Sequence, residues 1–273
     1  METLFGLPKD VTFCTRCVIS NQRPNSAVEY QHSPQSAKMT IAFDEHGVCS
    51  ACRVAEQKKN IDWASREEEL RELSRKWADF PGPHNILVPG SGGKDSFYQA
   101  HQLKFRFGFR PLTVTWAPHL YTDWGRQNHD AWISAGFDNI LVTPNRQVHR
   151  LLTRLAVDKL FHPFQPFMIG QKNLAPLLAN QFGIPLVFYG ENEAEYGNPA
   201  ADASSAQRDT SFFSGKNLDE ILLSGVEVSR LKTDFGLGAD DLAFYLPLEP
   251  DFIERAGIEV HYLGYYLPWH PQG

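Results

Sequence analysis

The chain has 273 residues, of which 42% are hydrophobic and 21% are charged, and its formal net charge is -6. This length is enough for one α/β domain of about 200 residues and a small appendage. The negative charge gives no general electrostatic reason to bind nucleic acid. No apolar run approaches the roughly 20 residues of a membrane span, and the N-terminus lacks the apolar core of a secretory signal. We therefore expect a cytoplasmic protein that neither binds nucleic acid nor inserts into a membrane.

The first feature along the chain is a set of four cysteines, arranged as two Cys-x-x-Cys pairs at Cys14, Cys17, Cys49 and Cys52. Each pair can place two thiolates on one ion, and two pairs complete a tetrahedral zinc site. Two disulfides or a redox-active pair are the alternatives, but a cytoplasmic location and the lack of a strand-and-helix context disfavour them. We predict that structural Zn²⁺ folds a ribbon-like module over residues 1–60, with an insertion between the pairs.

A helix over residues 62–78 and a Pro-Gly-rich linker are predicted to fill residues 61–83, ahead of the main domain at 84–273. From there, apolar runs alternate with helical patterns, which is typical of an α/β fold with a doubly wound parallel sheet. The five predicted strands are residues 85–88, 111–116, 139–143, 185–189 and 258–266. The predicted helices are residues 96–107, 125–135, 146–160, 171–182, 219–224, 239–245 and 251–256. No helix is predicted after the last strand, so we expect a C-terminal helical segment to be missing.

The segment between the first predicted strand and its helix reads Gly90-Ser-Gly-Gly-Lys-Asp-Ser96. Adjacent glycines let the backbone approach an anion closely, and the N–H groups at a helix start supply donors. The segment is not a Walker A loop, because Val88 stands where the leading glycine should be and Asp95 follows the lysine. Its order instead resembles the pyrophosphate-binding loop, or PP-loop, of the ATP pyrophosphatases. This resemblance implies an adenine nucleotide alpha hydrolase-like fold and cleavage of ATP to AMP and pyrophosphate.

Other candidate residues follow the second and fourth strands, because ligands in open α/β sheets bind beyond the carboxyl ends of the strands. Trp116, at the end of the second strand, is expected beside the adenosine of ATP. Glu191, Asn192 and Glu193 follow the fourth strand, where they could hold Mg²⁺ on the pyrophosphate or bind a polar substrate. A solvated surface loop is the alternative for these three residues.

Three further candidates, Gln171, Lys172 and Asn173, are predicted at the start of a helix. The lysine and the amides suit a carboxylate or a phosphate, and the helix terminus would add to the attraction. We therefore assign them to substrate binding. The alternative for Lys172 is an ordinary surface charge.

Beyond the loop, the chain resembles the N-acetyl sugar amidotransferases of lipopolysaccharide O-antigen and nonulosonic acid biosynthesis. The resemblance rests on the cysteine pairs, the PP-loop and the blocks at residues 114–118, 170–173, 190–198 and 262–269, and it covers essentially the whole chain. It implies an ATP-dependent enzyme that forms a C–N bond. The acetamido oxygen of a nucleotide-linked sugar would be adenylylated with release of pyrophosphate, and ammonia would then displace AMP to give an acetamidino sugar.

The same resemblance assigns roles to the loop. Backbone amides, serine hydroxyls and the lysine would neutralise the charge that develops on pyrophosphate, and Asp95 would cap the helix or assist Mg²⁺. The predicted ATP- and pyrophosphate-binding residues are Gly90, Ser91, Gly92, Gly93, Lys94, Asp95, Ser96 and Trp116. The predicted catalytic residues are Ser91, Lys94, Asp95 and Ser96. Because all four cysteines are assigned to zinc, ammonia would come from a separate glutaminase with a barrel partner.

Two other functions fit parts of this pattern. A PP-loop tRNA thiolation enzyme can also combine cysteine pairs with this loop, but it needs a basic surface and often extra catalytic cysteines. This chain is acidic and has no cysteine beyond the two pairs. An inactive module that binds zinc and nucleotide is the second alternative, which the intact loop residues Ser91, Lys94, Asp95 and Ser96 disfavour.

Overall fold

A computed structural model of the protein describes residues 6–25, 28–191 and 205–269. The strands are β1 (Ile86–Pro89), β2 (Pro111–Trp116), β3 (Asp138–Val142), β4 (Leu186–Tyr189), β5 (Leu222–Leu223), β6 (Val226–Glu227) and β7 (Glu259–Tyr262). The helices are α1 (Ser50–Gln57), α2 (Trp63–Lys76), α3 (Lys94–His101), α4 (Asp123–Ser134), α5 (Arg146–Leu160), α6 (Gln165–Phe182), α7 (Val228–Phe235), α8 (Ala239–Leu242), α9 (Pro250–Ala256) and α10 (Leu263–Tyr266). Among the described residues, no helix combines the length and the apolar character needed to cross a membrane.

The centre of the fold is a five-stranded sheet in the order β3-β2-β1-β4-β7, and all of its neighbouring strands are parallel. The predicted five-stranded parallel sheet is therefore confirmed. The chain moves outward from β1 to β2 and β3, and then crosses back to β4 on the other side of β1. This reversal leaves a crevice at the carboxyl ends of β1 and β4, which is where sheets of this class bind ligands.

The sheet is covered on both faces, as its strand sequences require. In β1, Leu87 belongs to one buried cluster while Ile86 and Val88 belong to the other, because successive side chains of a strand point to opposite faces. Helices α5 and α6 pack on the Leu87 side, and α2, α3, α4 and α10 pack on the opposite side. All three β1 side chains are fully buried, which explains why β1 is a continuous apolar run rather than an alternating one.

Two predicted elements near the C-terminus are wrong. Residues 219–224 do not form a helix; a 3-10 turn (Leu218–Glu220) leads instead into the antiparallel β5–β6 hairpin. The predicted strand 258–266 ends at Tyr262, and α10 follows it and packs into the same cluster as α2. A helical turn therefore does follow the last strand of the sheet. Both errors arise because short apolar runs do not distinguish strand from helix by periodicity.

Helix α6 begins six residues earlier than predicted, at Gln165 instead of Gln171. Prolines at 163 and 166 favour a break before residue 171, but Pro166 lies in the first turn of α6, where its missing N–H costs no hydrogen bond. Gln171, Lys172 and Asn173 consequently lie in the interior of the helix. Their predicted position at a helix start is wrong, so the helix dipole does not assist them.

The cysteine module is joined to the sheet domain by the insertion between its two cysteine pairs. Cys14 and Cys49 share a small core of their own, but Tyr30 of the insertion is buried in the cluster formed by β1, α5 and α6. The side chain of Gln165 donates a hydrogen bond to the carbonyl oxygen of Glu29 (3.2 Å). The insertion therefore belongs to the packing of the sheet domain, and it contacts α6 directly.

Candidate active site

The glycine-rich segment at residues 90–96, for which we keep the name PP-loop because of its resemblance, follows β1 and runs into α3 at the carboxyl edge of the sheet. The N–H of Gly90 donates to the carbonyl oxygen of Val114 (2.9 Å), which holds the start of the loop against β2. Gly93 is the residue before α3, and the hydroxyl of Ser96 donates to its carbonyl oxygen (3.1 Å). The N-cap residue, Gly93, makes no side-chain cap, and Asp95 lies inside the first turn instead of before it. Of the two predicted roles of Asp95, the helix cap is therefore not seen among the described residues and assistance to Mg²⁺ stays a prediction; the N–H groups of this turn suit an anion.

Two glycines of the loop are required by close packing. A Cβ at Gly90 would lie 2.2 Å from the Cβ of Ser96, and a Cβ at Gly92 would lie 2.7 Å from the Cα of His129. Gly92 also has a φ of +82°, which side-chain-bearing residues rarely adopt. The loop is thus closely packed between α3 and α4, and this packing constrains its shape.

A cavity of about 460 Å³ lies in front of the loop. It is lined by parts of the loop and by residues from β2, α6, β4 and β7. The predicted site residues that line it are Gly90, Ser91, Gly93, Asp95, Ser96, Trp116, Gln171, Lys172 and Glu191. Two predicted site residues do not line this cavity: Gly92 is buried within the loop, and Lys94 is exposed at the start of α3. Asn192 and Glu193 lie outside the described residues.

Two neighbouring residues of α6 point in different directions. The ammonium of Lys172 lines the cavity and lies 3.9 Å from the carboxylate of Glu29, which is buried. Asn173 is buried as well, but its amide nitrogen donates to the carbonyl oxygen of Tyr245 (2.9 Å) and its amide oxygen accepts from the hydroxyl of Tyr30. Asn173 therefore ties the insertion to the core, and only Gln171 and Lys172 face the cavity.

Trp116 lines the cavity and is otherwise buried, with 3% of its surface exposed. The backbone of α6 lies directly on its ring, because a Cβ at Gly170 would come within 2.4 Å of the indole. The ring of Tyr245 approaches it edge-on at 5.5 Å. The indole nitrogen is buried with no hydrogen-bond partner among the described residues.

Arg208 is a cavity residue that sequence reasoning missed. Its N–H donates to the carbonyl oxygen of Val260 (2.8 Å), so the segment around it runs beside β7. Its guanidinium lies over the rings of Phe212 (5.1 Å) and Tyr189 (5.2 Å). This packing holds a buried cation at the cavity. A single arginine in a polar stretch has no sequence pattern that marks it, because only the tertiary fold brings it to β7.

The cavity therefore contains both signs of charge. Arg208 and Lys172 supply cations, which suit the phosphates of ATP. Asp95 and Glu191 supply carboxylates, which are the ligands that Mg²⁺ takes in nucleotide sites. The donor set thus fits Mg²⁺ bound together with ATP, and the two carboxylates are the side chains that would hold the ion.

The sulfur atoms of the four cysteines lie close together in the cysteine module. Their sulfur atoms all lie within 4.8 Å of one another; those of Cys17 and Cys49 are 3.7 Å apart, and those of Cys14 and Cys52 are 4.0 Å apart. A tetrahedron with Zn–S bonds of about 2.3 Å has edges of about 3.8 Å. The arrangement therefore fits one zinc ion, and the cysteines form no disulfide.

Backbone donors favour a thiolate at Cys14, whereas burial raises the pKa of Cys49 and of Cys52. Burial raises the pKa of Cys14, but N–H groups of Cys49 (3.3 Å) and Arg16 (3.4 Å) donate to its sulfur and lower the pKa to about 6. A thiolate is the form that binds a metal. Since the chain has only these four cysteines, a nucleophilic thiol for glutamine hydrolysis or sulfur transfer would have to be taken from the cluster.

Comparison with known proteins gives limited similarity. No protein-family model matches the chain, and no curated protein matches it significantly. Among solved structures, an NH3-dependent NAD synthetase from Campylobacter jejuni covers 72% of this chain and 92% of its own, at 14% identity and a TM-score of 0.38. An NMN synthetase from Francisella tularensis covers 72% of this chain and 82% of its own, at 13% identity and a TM-score of 0.36. The narrower resemblance to sugar amidotransferases stays a prediction, and function is inferred from the site itself.

Proposed function

We propose that the protein is an ATP-dependent, AMP-forming amidotransferase that converts the acetamido group of a nucleotide-linked sugar into an acetamidino group. The observation that carries the proposal is the cavity in which the PP-loop meets Trp116, Lys172, Glu191 and Arg208. A loop for the leaving pyrophosphate and a polar wall for a second substrate are what an adenylylation followed by amination requires.

In the first step, the acetamido oxygen attacks the α-phosphorus of ATP. The bond from that phosphorus to the bridging oxygen of the β-phosphate breaks, and pyrophosphate leaves. The loop N–H groups and the hydroxyl of Ser91 would stabilise the negative charge on the leaving group. Ser96 would have to release its hydrogen bond to Gly93 to do the same, and Lys94 would act from the exposed start of α3, outside the cavity. Mg²⁺ held by Asp95 and Glu191 would supply further neutralisation of this charge. No covalent intermediate with the enzyme is needed, so the side chains act by positioning and electrostatics.

In the second step, ammonia adds to the carbon of the adenylylated group. The former acetamido oxygen leaves with AMP, and loss of protons from nitrogen yields the neutral or protonated amidine. All four cysteines lie in the zinc cluster, so we propose that a glutaminase with a barrel partner supplies the ammonia. We further propose that the reaction takes place in the cytoplasm, on precursors of O-antigen or nonulosonic acid.

Mass spectrometry of the sugar product tests this function most directly. The full-length protein, ATP, Mg²⁺, an ammonium salt and a nucleotide-linked N-acetyl sugar should give AMP, pyrophosphate and a sugar in which O is replaced by NH. Release of pyrophosphate should require both the sugar and ammonia. Thiolated RNA as the product, or no sugar product in the presence of the partner proteins, would contradict the proposal.

Substitutions should separate the site from the fold. Arg208→Gln should lower kcat/KM about 100-fold, because it removes a cation that lines the cavity and suits a phosphate-bearing substrate. Arg255→Gln is the matched control, since its guanidinium lies over Phe252 on α9 and does not line the cavity. Equal activity of Arg208→Gln and the control would exclude Arg208 from the site.

A further inference from the structure

A second cavity, of about 320 Å³, opens at the carboxyl ends of β2 and β3. We call it the α5 cavity, because the first half of α5 forms one of its walls. Its polar lining residues are His119, Tyr121, Thr143, Arg146, His149, Arg150 and Thr153. None of the described residues that line it is acidic. In a chain with a net charge of -6, such a concentration of cationic side chains creates a local positive potential that attracts anions.

The two arginines lie one helical turn apart at the start of α5, and neither makes an ion pair with a described residue. Arg146 is the first residue of α5, where a cation opposes the helix dipole, and no acidic residue of the first turn offsets it. Arg150 lies one turn further along the helix. The side chain of Asn145 already accepts from the N–H of Gln147 and caps this helix end, so binding of an anion here rests on the two guanidiniums.

A buried hydrogen-bond chain adds a donor to the same cavity. The hydroxyl of Tyr245 lies 2.8 Å from Nδ1 of His149, and Nε2 of His149 lies 3.1 Å from Nδ1 of His119. Burial, followed by the charge of His119, lowers the pKa of His149 to about 4, so its ring is neutral at pH 7.

The direction of donation along the Tyr245–His149–His119 hydrogen bonds is assigned from the buried end, at Tyr245. The Tyr245 hydroxyl has no other hydrogen-bond partner among the described residues, and a buried O–H without an acceptor is costly, so we assign it as the donor to His149. With this assignment His149 donates from Nε2 to Nδ1 of His119, which leaves the Nε2–H of His119 as a donor for a ligand in the α5 cavity.

We propose that the α5 cavity binds the diphosphate group of the nucleotide-linked sugar, while the PP-loop binds ATP. This inference rests on the proposed function for the identity of its ligand. The two cavities share a wall: Trp116 lines the first, and its ring lies 6.3 Å from that of His149, which lines the second. A diphosphate held by Arg146 and Arg150 would place its sugar beside the wall that Trp116 and His149 form between the α5 cavity and the ATP cavity.

The test measures binding of UDP, as the probe, by calorimetry without ATP. In the double variant Arg146→Gln/Arg150→Gln the Kd for UDP should rise at least tenfold, while the Kd for ATP stays unchanged. Arg154→Gln is the matched control on the same helix, because its guanidinium pairs with Asp158 outside the cavity; it should leave both constants unchanged. Pyrophosphate should compete with UDP, and uridine should not.

Several outcomes would overturn the inference. An unchanged Kd for UDP in the double variant would show that the arginines do not bind the diphosphate, and competition by uridine would show that the base is recognised instead. A parallel loss of ATP affinity would assign the cavity to ATP. The result is separable from the proposed function. Arginine-dependent UDP binding without amidine formation contradicts only the proposed function. Amidine formation with an unchanged KM for the sugar nucleotide in the double variant contradicts only this inference.

Discussion

At the scale of single residues, Gly90 shows how closely the PP-loop is packed. A Cβ there would meet the Cβ of Ser96 at 2.2 Å and the indole of Trp132 at 2.9 Å, whereas a Cβ at Gly93 would meet nothing nearer than the hydroxyl of Ser91 at 3.8 Å. Gly90 is therefore required for the fold of the loop. Gly93 leaves room for an approaching anion.

We expect Gly90→Ala to lower the free energy of unfolding by about 1–3 kcal/mol, because the loop or α3 must move to relieve the contact. Gly93→Ala is the matched control and should change it by less than about 0.5 kcal/mol, since its φ of −66° is ordinary for alanine. Urea unfolding of both variants checks this. Equal stability of the two would mean that the contact at Gly90 is relieved without cost.

At the scale of elements, α6 contains a proline in its interior, Pro176. A proline lacks the N–H that would otherwise bond the carbonyl oxygen four residues earlier, which belongs to Lys172. The hydroxyl of Tyr189 on β4 donates to that same oxygen (3.2 Å). A side chain of the sheet thus supplies the donor that the helix lacks, and it joins α6 to β4 beside the cavity.

A double-mutant cycle tests this substitution of one donor for another. Tyr189→Phe should lower the free energy of unfolding by about 1 kcal/mol, because it removes the donor to a helix carbonyl. In a Pro176→Ala background the helix N–H is restored, so the same change should cost close to nothing, which gives a coupling energy of about 1 kcal/mol. The same cost in both backgrounds would mean that the hydroxyl does not replace the missing N–H.

At the scale of the whole molecule, bound zinc should stabilise the cysteine module and the sheet domain together. Tyr30 is buried in the sheet domain, while the cysteines that flank its insertion form the cluster. We expect Cys14→Ser to remove bound zinc and to cost about 3 kcal/mol or more, which is roughly 10 °C in Tm for a chain of this size. Metal analysis and thermal unfolding check this. A chelator should lower the Tm of the natural protein but not of the variant; an unchanged Tm in both would show that the cluster is not a structural zinc site.

The whole molecule should also lose stability in mild acid. Burial lowers the pKa of His32 and His149 to about 4, and it lowers the pKa of His162 and His261 as well. Between pH 6.5 and 4 the unfolded chain binds protons that the folded chain does not. The contribution of these histidines is therefore complete above pH 6.5 and is lost as the pH falls through the folded values.

Urea unfolding between pH 7 and pH 4 measures this loss. His149→Gln should reduce the dependence on pH in this window, because it removes one of the four groups. His46→Gln is the control, since that side chain is 79% exposed. Depressed carboxylates such as Glu67 contribute at lower pH, below about 4.5. A stability that is constant from pH 6.5 to 4.5 would mean that the buried histidines are protonated in the folded protein.

Local patterns in the sequence determined much of this protein. The order of the five sheet strands, the PP-loop and the two Cys-x-x-Cys pairs each depend on neighbouring residues, because a strand, a loop before a helix and a Cys-x-x-Cys turn are local structures. The tertiary structure alone decided which distant residues meet. It brought Arg208 to the cavity through a segment beside β7, turned Asn173 toward Tyr30, placed Lys172 at the cavity near Glu29, and assembled His119, Arg146 and Arg150 into the α5 cavity. The physical reason is that the direction of a side chain and its partners depend on how helices pack on the sheet, and a short stretch of sequence carries no record of that packing.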